Sequence, residues 1–549
     1  MGSLLYHTVQ KAAEEVPDHT AFSSNTESVT YSDLDARTNQ LANLLISTGI
    51  QPGDRVGIFM PRVVESAVAV YGIMKAGAAF VPIDPQSPVD RVESIVNHCG
   101  LSHVVTTPSL LRKVVTLAGL SPKGLKHIIG AGGEHDGIAL HSWREVALES
   151  EKFEKCPSIS THDLAYIMYT SGSTGEPKGI MHTHYSGLSY ARLSASTYDI
   201  KRSDRIGNHS PLHFDMSTLG YLTGPYAQAT TVIVPDAYTK LPASLAQLVA
   251  KEKLTIWYSV PLALNQLLSS GVLDSLNYSK LRWVLFGGEP IATKTLRGLM
   301  GHWQDTRFSN VYGPAEINQC SFFHFSGSSN CQAWQDNNTV PLGEIWPDSE
   351  GLILDSQDRV LTSRATGELV VHSPTMMRGY WRRPDLDTGA FYEGKTIDGR
   401  RNRYYRTGDI VRRDDRGQLA FVGRKDRQVK IRGYRVELDE IELALTSHPS
   451  VSETGVFKVS GADGDSRIHA ACILIEDHEV SDEDLRKFLS LRLPPYALPS
   501  KIMQVDAMPR TGSGKVDRIA LSNACPQIRS VTDKPTHCRQ DGTSKLLNE

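Results

Sequence analysis

Hydroxyl groups, glycines and a lysine are concentrated in residues 169–179, which read Tyr-Thr-Ser-Gly-Ser-Thr-Gly-Glu-Pro-Lys-Gly. Glycines allow the backbone to approach a ligand closely, and successive N–H groups in such a turn form a concave site for an anion. Lys178 adds a positive charge. The segment is not a Walker A loop, because Pro177 precedes the lysine and Gly179 follows it. We predict that this segment, the phosphate loop, binds phosphate; a solvated turn is the alternative.

Four further places along the chain carry side chains that could bind ions. Asp215 lies in an apolar stretch, where it either caps a helix or pairs with the cation of a ligand. Tyr312 could offer a ring face to a purine and Glu316 an oxygen ligand to Mg²⁺, although a structural role is favoured for either residue taken alone. Lys515 lies on a glycine turn, where an anion could bind; an exposed turn is the alternative. Residues 182–184 have an H-x-H pattern without a third ligand nearby, so packed histidines are favoured over a metal site.

The elements that position these residues alternate between strands and helices in the first part of the chain. The apolar run 164–168 predicts a buried strand that leads directly into the phosphate loop. Before it, helical stretches at 30–50 and 65–76 alternate with strands that begin at Arg55 and Gly77. This alternation predicts an α/β layer in which most strands are parallel.

Two later strands, 281–286 and 308–312, also end in loops that contain glycine and glutamate. Ligands bind beyond the carboxyl ends of strands in open α/β sheets, so we expect these loops and the phosphate loop to line one crevice.

The remainder of the chain predicts a β-rich subdomain followed by a separate lobe. Residues 341–425 contain many Gly, Arg and Asp residues between short apolar strands. The lobe begins near Arg427, and the chain is polar from Cys525 onward. The strands and helices predicted in the lobe are 428–431, 437–447, 468–475 and 481–491.

The composition is that of a soluble globular protein with several structural lobes. The chain has 549 residues, a net charge of −3, 40% hydrophobic and 22% charged residues. This balance gives no indication of binding to nucleic acid or to a membrane. Seven scattered cysteines without a C-x-x-C pair indicate reduced thiols and a cytoplasmic protein. We also expect no signal peptide and no membrane span, because no apolar run approaches 18 residues.

Taken together, these segments resemble the adenylate-forming (ANL) superfamily, and specifically the amino-acid adenylation domains of nonribosomal peptide synthetases. Any one motif is weak evidence, but the whole series occurs in the family's order. The motifs are the phosphate loop and residues 74–85, 214–217, 310–316, 366–369, 378–381, 405–409, 423–433, 494–499 and 514–518. Two positions depart from the pattern: Ala315 stands where the family usually has Thr, and Ser513 replaces a common Asn.

The resemblance implies an α/β fold with two domains and a tail. Residues 1–425 are expected to form a large N-terminal domain of layered α/β subdomains plus a β-barrel-like subdomain. Residues 426–525 are expected to form a small, mobile α+β lid that carries the catalytic lysine, and 526–549 a polar tail or linker. The lid would rotate about Asp426 between two half-reactions. In the first, a carboxylate attacks the α-phosphate of ATP and pyrophosphate leaves; in the second, a thiol takes the acyl group from the adenylate.

The resemblance also implies roles for residues. Lys515 would bridge the carboxylate and the α-phosphate, and Thr170 and Glu316 would hold Mg²⁺; these three are the expected catalytic residues. Asp409 would accept hydrogen bonds from the ribose, and Arg424 would steady the nucleotide. The expected nucleotide-binding residues are Thr170, Ser171, Gly172, Ser173, Thr174, Gly175, Lys178, Gly288, Glu289, Asn310, Tyr312, Gly313, Asp409, Arg424 and Lys515.

An aspartate at the position of Asp215 pairs with the α-amino group of the substrate in the family, which favours an α-amino or imino acid here. The positions that match the family's substrate pocket are Asp215, Met216, Leu219, Tyr258, Leu285, Gly287, Val311, Gln319 and Cys320. Their lining is small or apolar apart from Tyr258 and Gln319, so a small neutral substrate is expected. The set looks most like that of free-standing ligases that load L-proline onto a separate carrier protein, although Met216, Gly287, Val311 and Gln319 diverge. One methylene group is worth only about 1–3 kcal/mol, so alanine, valine and pipecolate stay open.

The resemblance therefore implies ATP, Mg²⁺, and the phosphopantetheine of a peptidyl or acyl carrier protein. An acyl- or aryl-CoA ligase would share the nucleotide motifs but lack Asp215. An aminoacyl-tRNA synthetase would carry HIGH-like and KMSKS-like signatures, and neither is found. A non-catalytic binding module would have lost Lys515 or Glu316, and both are present. No carrier-like Gly-Gly-x-Ser segment follows, so the chain either acts on a carrier in trans or is one domain of a longer synthetase.

Overall fold

The structure is a computed structural model, and it describes residues 3–120, 124–153, 156–172, 175–326, 340–362, 365–395, 399–414, 416–460, 466–475, 478, 480–511 and 516–524. The predictions on Ser173, Thr174, Lys515 and the tail 526–549 lie outside these residues. Within the described ranges, none of the helices is long and apolar enough to span a bilayer.

The helices are α1 (His7–Glu15), α2 (Tyr31–Ser47), α3 (Glu65–Lys75), α4 (Val89–Cys99), α5 (Leu111–Leu120), α6 (Trp143–Val146), α7 (His184–Thr197), α8 (Gly224–Tyr226), α9 (Asp236–Thr239), α10 (Pro242–Lys251), α11 (Pro261–Ser269), α12 (Thr293–His302), α13 (Pro384–Ala390), α14 (Leu438–Thr446), α15 (Asp482–Ser490) and α16 (Arg518–Ala524).

The strands are β1 (Thr20–Ser23), β2 (Ser28–Thr30), β3 (Arg55–Phe59), β4 (Ala79–Pro82), β5 (His103–Thr106), β6 (His127–Ile129), β7 (Ala139–His141), β8 (Leu164–Thr170), β9 (Lys178–Thr183), β10 (Arg205–Asn208), β11 (Thr230–Ile233), β12 (Ile256–Ser259), β13 (Trp283–Gly287), β14 (Arg307–Tyr312), β15 (Ser321–Phe325), β16 (Glu344–Ile345), β17 (Glu350–Leu354), β18 (Val360–Leu361), β19 (Thr366–His372), β20 (Gly379–Tyr380), β21 (Phe391–Lys395), β22 (Arg401–Arg413), β23 (Leu419–Arg424), β24 (Gln428–Ile431), β25 (Tyr434–Glu437), β26 (Val451–Ser460), β27 (Ser466–Leu474) and β28 (Lys501–Gln504).

The first sheet holds the phosphate loop and has the strand order β20-β9-β8-β4-β3-β5-β6-β7. Its strands from β3 to β8 pair in parallel, as the alternation of helices and strands predicts. β8 then turns back as β9, which pairs with it antiparallel, so the phosphate loop joins the two strands. The residues of α3 from Ser66 to Lys75 are all buried, because this helix packs between the first sheet and the second.

The second sheet supplies the other loops of the predicted crevice. Its order is β16-β15-β14-β13-β12-β10-β11-β1-β2, with β10 to β14 parallel. The apolar runs at 281–286 and 308–312 fold as β13 and β14, which are adjacent, so their carboxyl ends lie at the same edge. Helices α10, α11 and α12 cover this sheet through a cluster that includes Trp257, Leu264 and Leu299.

Most of residues 341–425 form the expected β-rich subdomain, whereas β16 and β20 of this range join the second and the first sheet. Strands β17, β18, β19, β21, β22 and β23 make one antiparallel sheet, in which β22 pairs with both β19 and β23. The register of β22 and β23 places Asp409 opposite Arg424. This pairing brings the two predicted nucleotide ligands together.

A smaller α+β lobe follows, and the link between β23 and β24 contains the predicted hinge Asp426. The lobe consists of the two-stranded β24–β25 hairpin, the sheet β26-β27-β28 and helices α14, α15 and α16. The hairpin, residues 428–437, is called the lid hairpin below. A buried ion pair joins the lobe to the core: Arg91 Nη1 on α4 lies 2.6 Å from Glu440 Oε1 on α14. The lid hairpin also contacts the core directly, because the Gly433 amide donates a hydrogen bond to Glu289.

Candidate active site

The predicted loops do meet, around an enclosed inner cavity of about 90 Å³. The end of β8, the short 3₁₀ helix Asp215–Ser217 and the turns that follow β13 and β14 form its core side. The lid hairpin closes the opposite side with Gln428, Lys430 and Arg435. In this orientation, the lid hairpin itself lines the space in which ligands are expected.

Glu316 is a buried anion whose two oxygens both have partners. Tyr380 donates a hydrogen bond of 2.7 Å to Oε1, and Arg435 donates one to Oε2. Lys178 Nζ lies 3.9 Å from Oε1. Burial alone would raise the pKa of this carboxyl, but the charges of Arg435 and Lys178 and the bond from Tyr380 outweigh it and lower the pKa to about 2. Glu316 is therefore ionised at neutral pH.

The phosphate loop ends next to this anion, at Lys178. Thr170 and Lys178 are partners across β8 and β9, and the hydroxyl Oγ1 of Thr170 is buried without a hydrogen-bond partner among the described residues. Ser171 donates a hydrogen bond of 2.8 Å to the carbonyl oxygen of Arg435. Gly175 has φ +82°, a conformation that favours glycine. The buried free hydroxyl of Thr170 and the anionic carboxylate of Glu316 are hard oxygen donors, the kind that Mg²⁺ prefers.

The predicted ribose ligand Asp409 is also enclosed by hydrogen bonds. Tyr312 donates its hydroxyl proton to Oδ2, and Arg424 Nη1 donates to Oδ1 over 2.6 Å. The same guanidinium binds both oxygens of Asp426, at 2.6 and 2.7 Å. A single arginine therefore links Asp409 to the predicted hinge.

The other predicted nucleotide residues have mixed surroundings. Gly288 and Gly313 line the inner cavity. Asn310 instead donates a hydrogen bond of 2.8 Å to the carbonyl oxygen of Pro341, and Glu289 accepts from the lid hairpin.

Asp215 faces the inner cavity from the start of its 3₁₀ helix. Its Oδ1 accepts a hydrogen bond of 2.9 Å from the Met216 amide, and no described Lys, Arg or His nitrogen forms an ion pair with it. Burial raises the pKa of Asp215, and the charge of Lys430 only partly offsets this effect. The sequence left open whether this residue is a cap or a charge partner; the bond to Met216 is local, and the second oxygen stays available to a ligand.

Five of the predicted substrate residues pack in one apolar cluster behind Asp215. They are Met216, Leu219, Tyr258, Leu285 and Val311. Of the five, Met216, Tyr258 and Val311 reach the inner cavity itself.

Gly287, Gln319 and Cys320 do not line the inner cavity in this lid orientation. Gly287 approaches β14 so closely that an added Cβ would overlap the carbonyl oxygen of Val311. Gln319 donates a hydrogen bond of 2.6 Å to the hydroxyl of Tyr198, and the buried Cys320 packs against Tyr312. The sequence motifs placed these residues in the pocket, and the structure gives each of them a packing partner as well.

The structure adds residues that the sequence did not single out. Arg435 and Tyr380 hold Glu316; Tyr380 lies inside the motif 378–381, whereas Arg435 lies two residues beyond the motif 423–433. Nothing in those motifs names a partner 119 residues away in sequence, as Arg435 is from Glu316. His182 also supports this region, because its Nε2 lies 3.0 Å from the carbonyl oxygen of Ala315.

The H-x-H pattern does not form a metal site in the described part of the chain, where no cluster of three or more His, Cys, Asp or Glu side chains is arranged to hold a metal. His184 Nδ1 accepts a hydrogen bond from the Leu5 amide. Burial lowers the pKa of His182 and of His184 to about 4. Both histidines are buried and packed in the core.

A second, outer cavity of about 750 Å³ adjoins the inner one. Its wall includes Arg62, Asp84, His209 and Asp236 of the core and Arg432 of the lid hairpin. The residues that line both cavities are His213, Phe214, Tyr434 and Tyr496. Tyr434 and Tyr496 stack with ring centroids 3.9 Å apart, and Phe214 contacts Tyr434 edge-on at 4.7 Å. The lid is thus joined to the core by aromatic rings at the junction of the two cavities.

The fold and this site define a class of enzyme. Residues 9–381 match the family model described as AMP-binding enzyme, and residues 440–515 match the model of the AMP-binding enzyme C-terminal domain. The first match alone covers more than half of the chain, so the chain belongs to the AMP-binding enzyme family.

Particular relatives are similar over almost the whole chain. The L-proline--[L-prolyl-carrier protein] ligase of Pseudomonas fluorescens is 31% identical over 94% of this chain and 99% of its own length. Bacitracin synthase 1 of Bacillus licheniformis is 32% identical over 94% of this chain, which spans only 9% of that synthase. Among solved structures, the amide bond synthetase McbA of Marinactinospora thermotolerans has a TM-score of 0.82 and 21% identity, with 95% of this chain and 99% of that chain covered. This last similarity shows the shared fold.

Proposed function

We propose that this enzyme activates a small neutral amino acid with ATP and transfers it to the phosphopantetheine thiol of a carrier protein. The observation that carries the proposal is the half-buried carboxylate of Asp215, which lines the inner cavity and forms no ion pair with a described Lys, Arg or His side chain. A buried charge is costly unless it is paired, and a substrate ammonium would supply the pair. A fatty or aromatic acid would leave Asp215 unpaired.

In the first half-reaction, the substrate carboxylate attacks the α-phosphate of ATP, and pyrophosphate leaves. Two anions must approach each other, so catalysis depends on positioning and on neutralising charge. We assign the phosphate loop and Lys178 to the departing pyrophosphate, and Asp409 and Arg424 to the ribose side. We assign Lys515 to the junction between the carboxylate and the α-phosphate.

The donors beside the phosphate loop fit Mg²⁺. The unpartnered hydroxyl of Thr170 and the anionic Glu316 would hold the ion, which would neutralise charge on the phosphates. In the present orientation Arg435 binds Oε2 of Glu316. Release of that oxygen requires the lid hairpin to move, which supports the proposal that residues 426–525 rotate about Asp426.

L-Proline is the substrate that we propose first. The apolar cluster behind Asp215 has no charged side chain, which suits a small neutral side chain or ring. The relative from P. fluorescens that aligns over 94% of this chain is named an L-proline--[L-prolyl-carrier protein] ligase. Alanine, valine and pipecolate differ from proline by few atoms and belong in the same test.

The second half-reaction needs a path for a thiol on a long arm. The outer cavity leads from the surface between core and lid to the residues that adjoin the inner cavity. We assign this path to the phosphopantetheine of the carrier protein, which is either a separate protein or part of a longer synthetase. The use of ATP and the free thiols of Cys99, Cys320 and Cys472 support a cytoplasmic location.

An ATP–pyrophosphate exchange assay over the proteinogenic amino acids and pipecolate tests the first half of the proposal. We expect strong stimulation by proline or another small neutral amino acid, and little by acidic or basic ones. Cyclopentanecarboxylate, which has the ring of proline without the amino group, serves as the matched control. Equal stimulation by this acid, or stimulation only by aromatic or fatty acids, would contradict the role of Asp215.

A loading assay tests the acceptor. The enzyme is given radiolabelled substrate with a phosphopantetheinylated carrier protein, the same carrier without the arm, or coenzyme A. Label on the arm-bearing carrier alone is the expected result. Label on coenzyme A in preference to the carrier would favour the alternative function of an acyl-CoA ligase.

A further inference from the structure

His213 lies where the outer cavity meets the inner one. Of the four described residues that line both cavities, Phe214 has no titratable group, and burial raises the pKa of Tyr434 and Tyr496. Both tyrosines therefore remain protonated near neutral pH. His213 is the member of this set that can accept a proton there.

The surroundings of His213 leave its imidazole free to accept a proton. Its Nε2 is buried, makes no hydrogen bond to any described residue, and lies 4.0 Å from Asp84 Oδ2. Asp84 is itself held in place, because the Gln86 amide donates a hydrogen bond of 2.8 Å to its Oδ1. The arrangement places a carboxylate beside one ring nitrogen and leaves the other ring nitrogen without an assigned partner.

Three charged groups face His213: Asp84, Arg62 and Asp236. Arg62 and Asp236 neutralise each other, since Nε of the arginine lies 3.0 Å from Oδ1 of the aspartate. Burial lowers the pKa of His213, and Asp84 opposes this effect. The ring is consequently neutral at neutral pH, the form that a general base requires.

We propose that His213 is the general base that deprotonates the acceptor thiol in the second half-reaction, with Asp84 orienting its ring. This inference rests on the proposed function. Nε2–H faces Asp84, and Nδ1 takes the proton from the S–H bond of the arm. The sulfur then attacks the carbonyl carbon of the aminoacyl-adenylate, a C–S bond forms, and the C–O bond to the phosphate breaks. AMP leaves with that electron pair, and the imidazolium returns its proton to water.

The reason for a base here is the acidity of the thiol. A thiol with an ordinary pKa near 8.5 is only a few per cent ionised at neutral pH, and the thiolate is the nucleophile. A positioned base contributes on the order of 10²–10⁴ in rate. The proposal therefore predicts an effect that depends on the pKa of the thiol, which a purely structural histidine would not produce.

The test uses the full chain with His213→Gln and two readouts, pyrophosphate exchange and thioester formation from adenylate made in situ. Pantetheine is the first acceptor probe, and a set of simple alkanethiols of decreasing pKa is the second. We expect thioester formation with pantetheine at pH 7 to fall about 10²-fold more than pyrophosphate exchange. We also expect the deficit to shrink as the thiol becomes more acidic and as the pH is raised.

Two further variants make the outcome decisive. His184→Gln removes another buried histidine, outside both cavities, and should keep the native dependence on thiol pKa. Asp84→Asn keeps the shape of the orienting side chain and should reproduce part of the His213→Gln defect. If His213→Gln folds poorly, Asp84→Asn still tests the proposal through the same two readouts.

Certain results would overturn the inference. Equal losses in both readouts, or a native dependence on thiol pKa in His213→Gln, would remove the role of His213 while leaving the proposed function intact. Native enzyme that exchanges pyrophosphate but forms no thioester with pantetheine or a carrier protein would overturn the proposed acceptor and this inference together.

Discussion

At the scale of single residues, the acidic groups of the site differ in how many of their oxygens have partners within the protein. Glu316 and Asp409 each have a partner for both oxygens. Asp215 has one local hydrogen bond and no ion pair among the described residues. On the proposed function, the substrate ammonium is the partner that Asp215 lacks.

Substitution of Asp215 by Asn tests that distinction. An unpaired buried charge costs about 3–5 kcal/mol, so we expect kcat/KM for the amino acid to fall by a factor on the order of 10²–10³. The variant should also discriminate less between proline and cyclopentanecarboxylate, because the interaction with the ammonium is gone. Pyrophosphate exchange at varied substrate concentration measures both effects.

Asp199→Asn is the control for this measurement, since the Asp199 side chain is 59% exposed and remote from the cavity. Native preference for the amino acid in Asp215→Asn would show that another group binds the ammonium.

Residue roles could be predicted from the sequence only where a motif carries them. The free hydroxyl of Thr170 and the position of Asp215 belong to recognised motifs, and the structure brings both to the inner cavity. The bond between Arg435 and Glu316 could not be predicted, because it depends on how two distant segments dock. A charged residue in a buried motif indicates that a partner is needed, but which residue becomes that partner depends on tertiary packing.

At the scale of elements, the lid hairpin shows how a turn conformation controls docking. Gly433 has φ +82°, and a Cβ at this position would overlap the side chain of Val260 on the core. We predict that Gly433→Ala hinders docking of the lid hairpin and slows thioester formation about 5- to 100-fold relative to pyrophosphate exchange, since overpacking of this kind costs about 1–3 kcal/mol. The ratio of the two rates is the quantity to measure.

Gly417→Ala is the matched control for the hairpin. Gly417 has φ +78°, but nothing lies within 4 Å of an added Cβ, so it reproduces the backbone strain without the collision. A similar change of the rate ratio in both variants would mean that the contact with Val260 is unimportant.

Strands β5, β6 and β7 carry a second feature that affects stability, a stack of His103, His127 and His141. The ring centroids are 4.3 and 5.5 Å apart, and His103 is buried. Burial, with the neighbouring histidines and Lys126, lowers the pKa of His103 to about 3. The histidine is therefore neutral in the folded protein but titrates near 6.5 when unfolded.

The sign of the pH effect follows from this difference. The contribution of His103 is fully present above pH 6.5 and is lost as the pH falls from 6.5 toward 3, by about 1.4 kcal/mol per pH unit. We predict that His103→Phe, which can still stack, loses less thermal stability between pH 7.5 and pH 5.0 than the native enzyme does. Melting temperatures at the two pH values provide the comparison.

His135→Phe, on an exposed loop, serves as the control for the histidine stack. If His103→Phe has the same acid sensitivity as the native chain, other groups dominate the loss of stability.

Elements were predictable where local composition decides them. The five apolar residues 164–168 indicate a strand, but β8 continues through Tyr169 and Thr170 because β9 pairs with it. Strand β24 has the predicted bounds, because the turn residues that end it are adjacent to it in sequence. The order of the strands within each sheet depends on contacts between distant segments. The sequence therefore predicts only the class of the fold, a largely parallel α/β layer, and not the strand order.

At the scale of the whole molecule, the lid is held on the core by a small number of buried contacts. Arg91 and Glu440 have side chains that are 8% and 5% exposed and form an ion pair of 2.6 Å. Removal of one partner of a buried pair costs about 3–5 kcal/mol, so we predict that Arg91→Met weakens lid docking. Trypsin should then cleave the link at Lys425 or Arg427 several-fold faster than in the native enzyme.

Arg112→Met, which removes an exposed arginine from the neighbouring helix α5, controls for a general effect of lost charge. An unchanged rate of cleavage in Arg91→Met would show that the aromatic rings of the junction, and not the ion pair, keep the lid docked.

The ion pair between Arg435 and Glu316 also has a consequence for the order of the two half-reactions. A divalent ion held at Oε2 of Glu316 would compete with the Arg435 guanidinium for that oxygen, so binding of one would exclude the other. With the proposed roles, the lid orientation described above would be reached only when that oxygen does not hold the ion. A single carboxylate would then keep the two chemical events in sequence, and no separate sensor of turnover is needed.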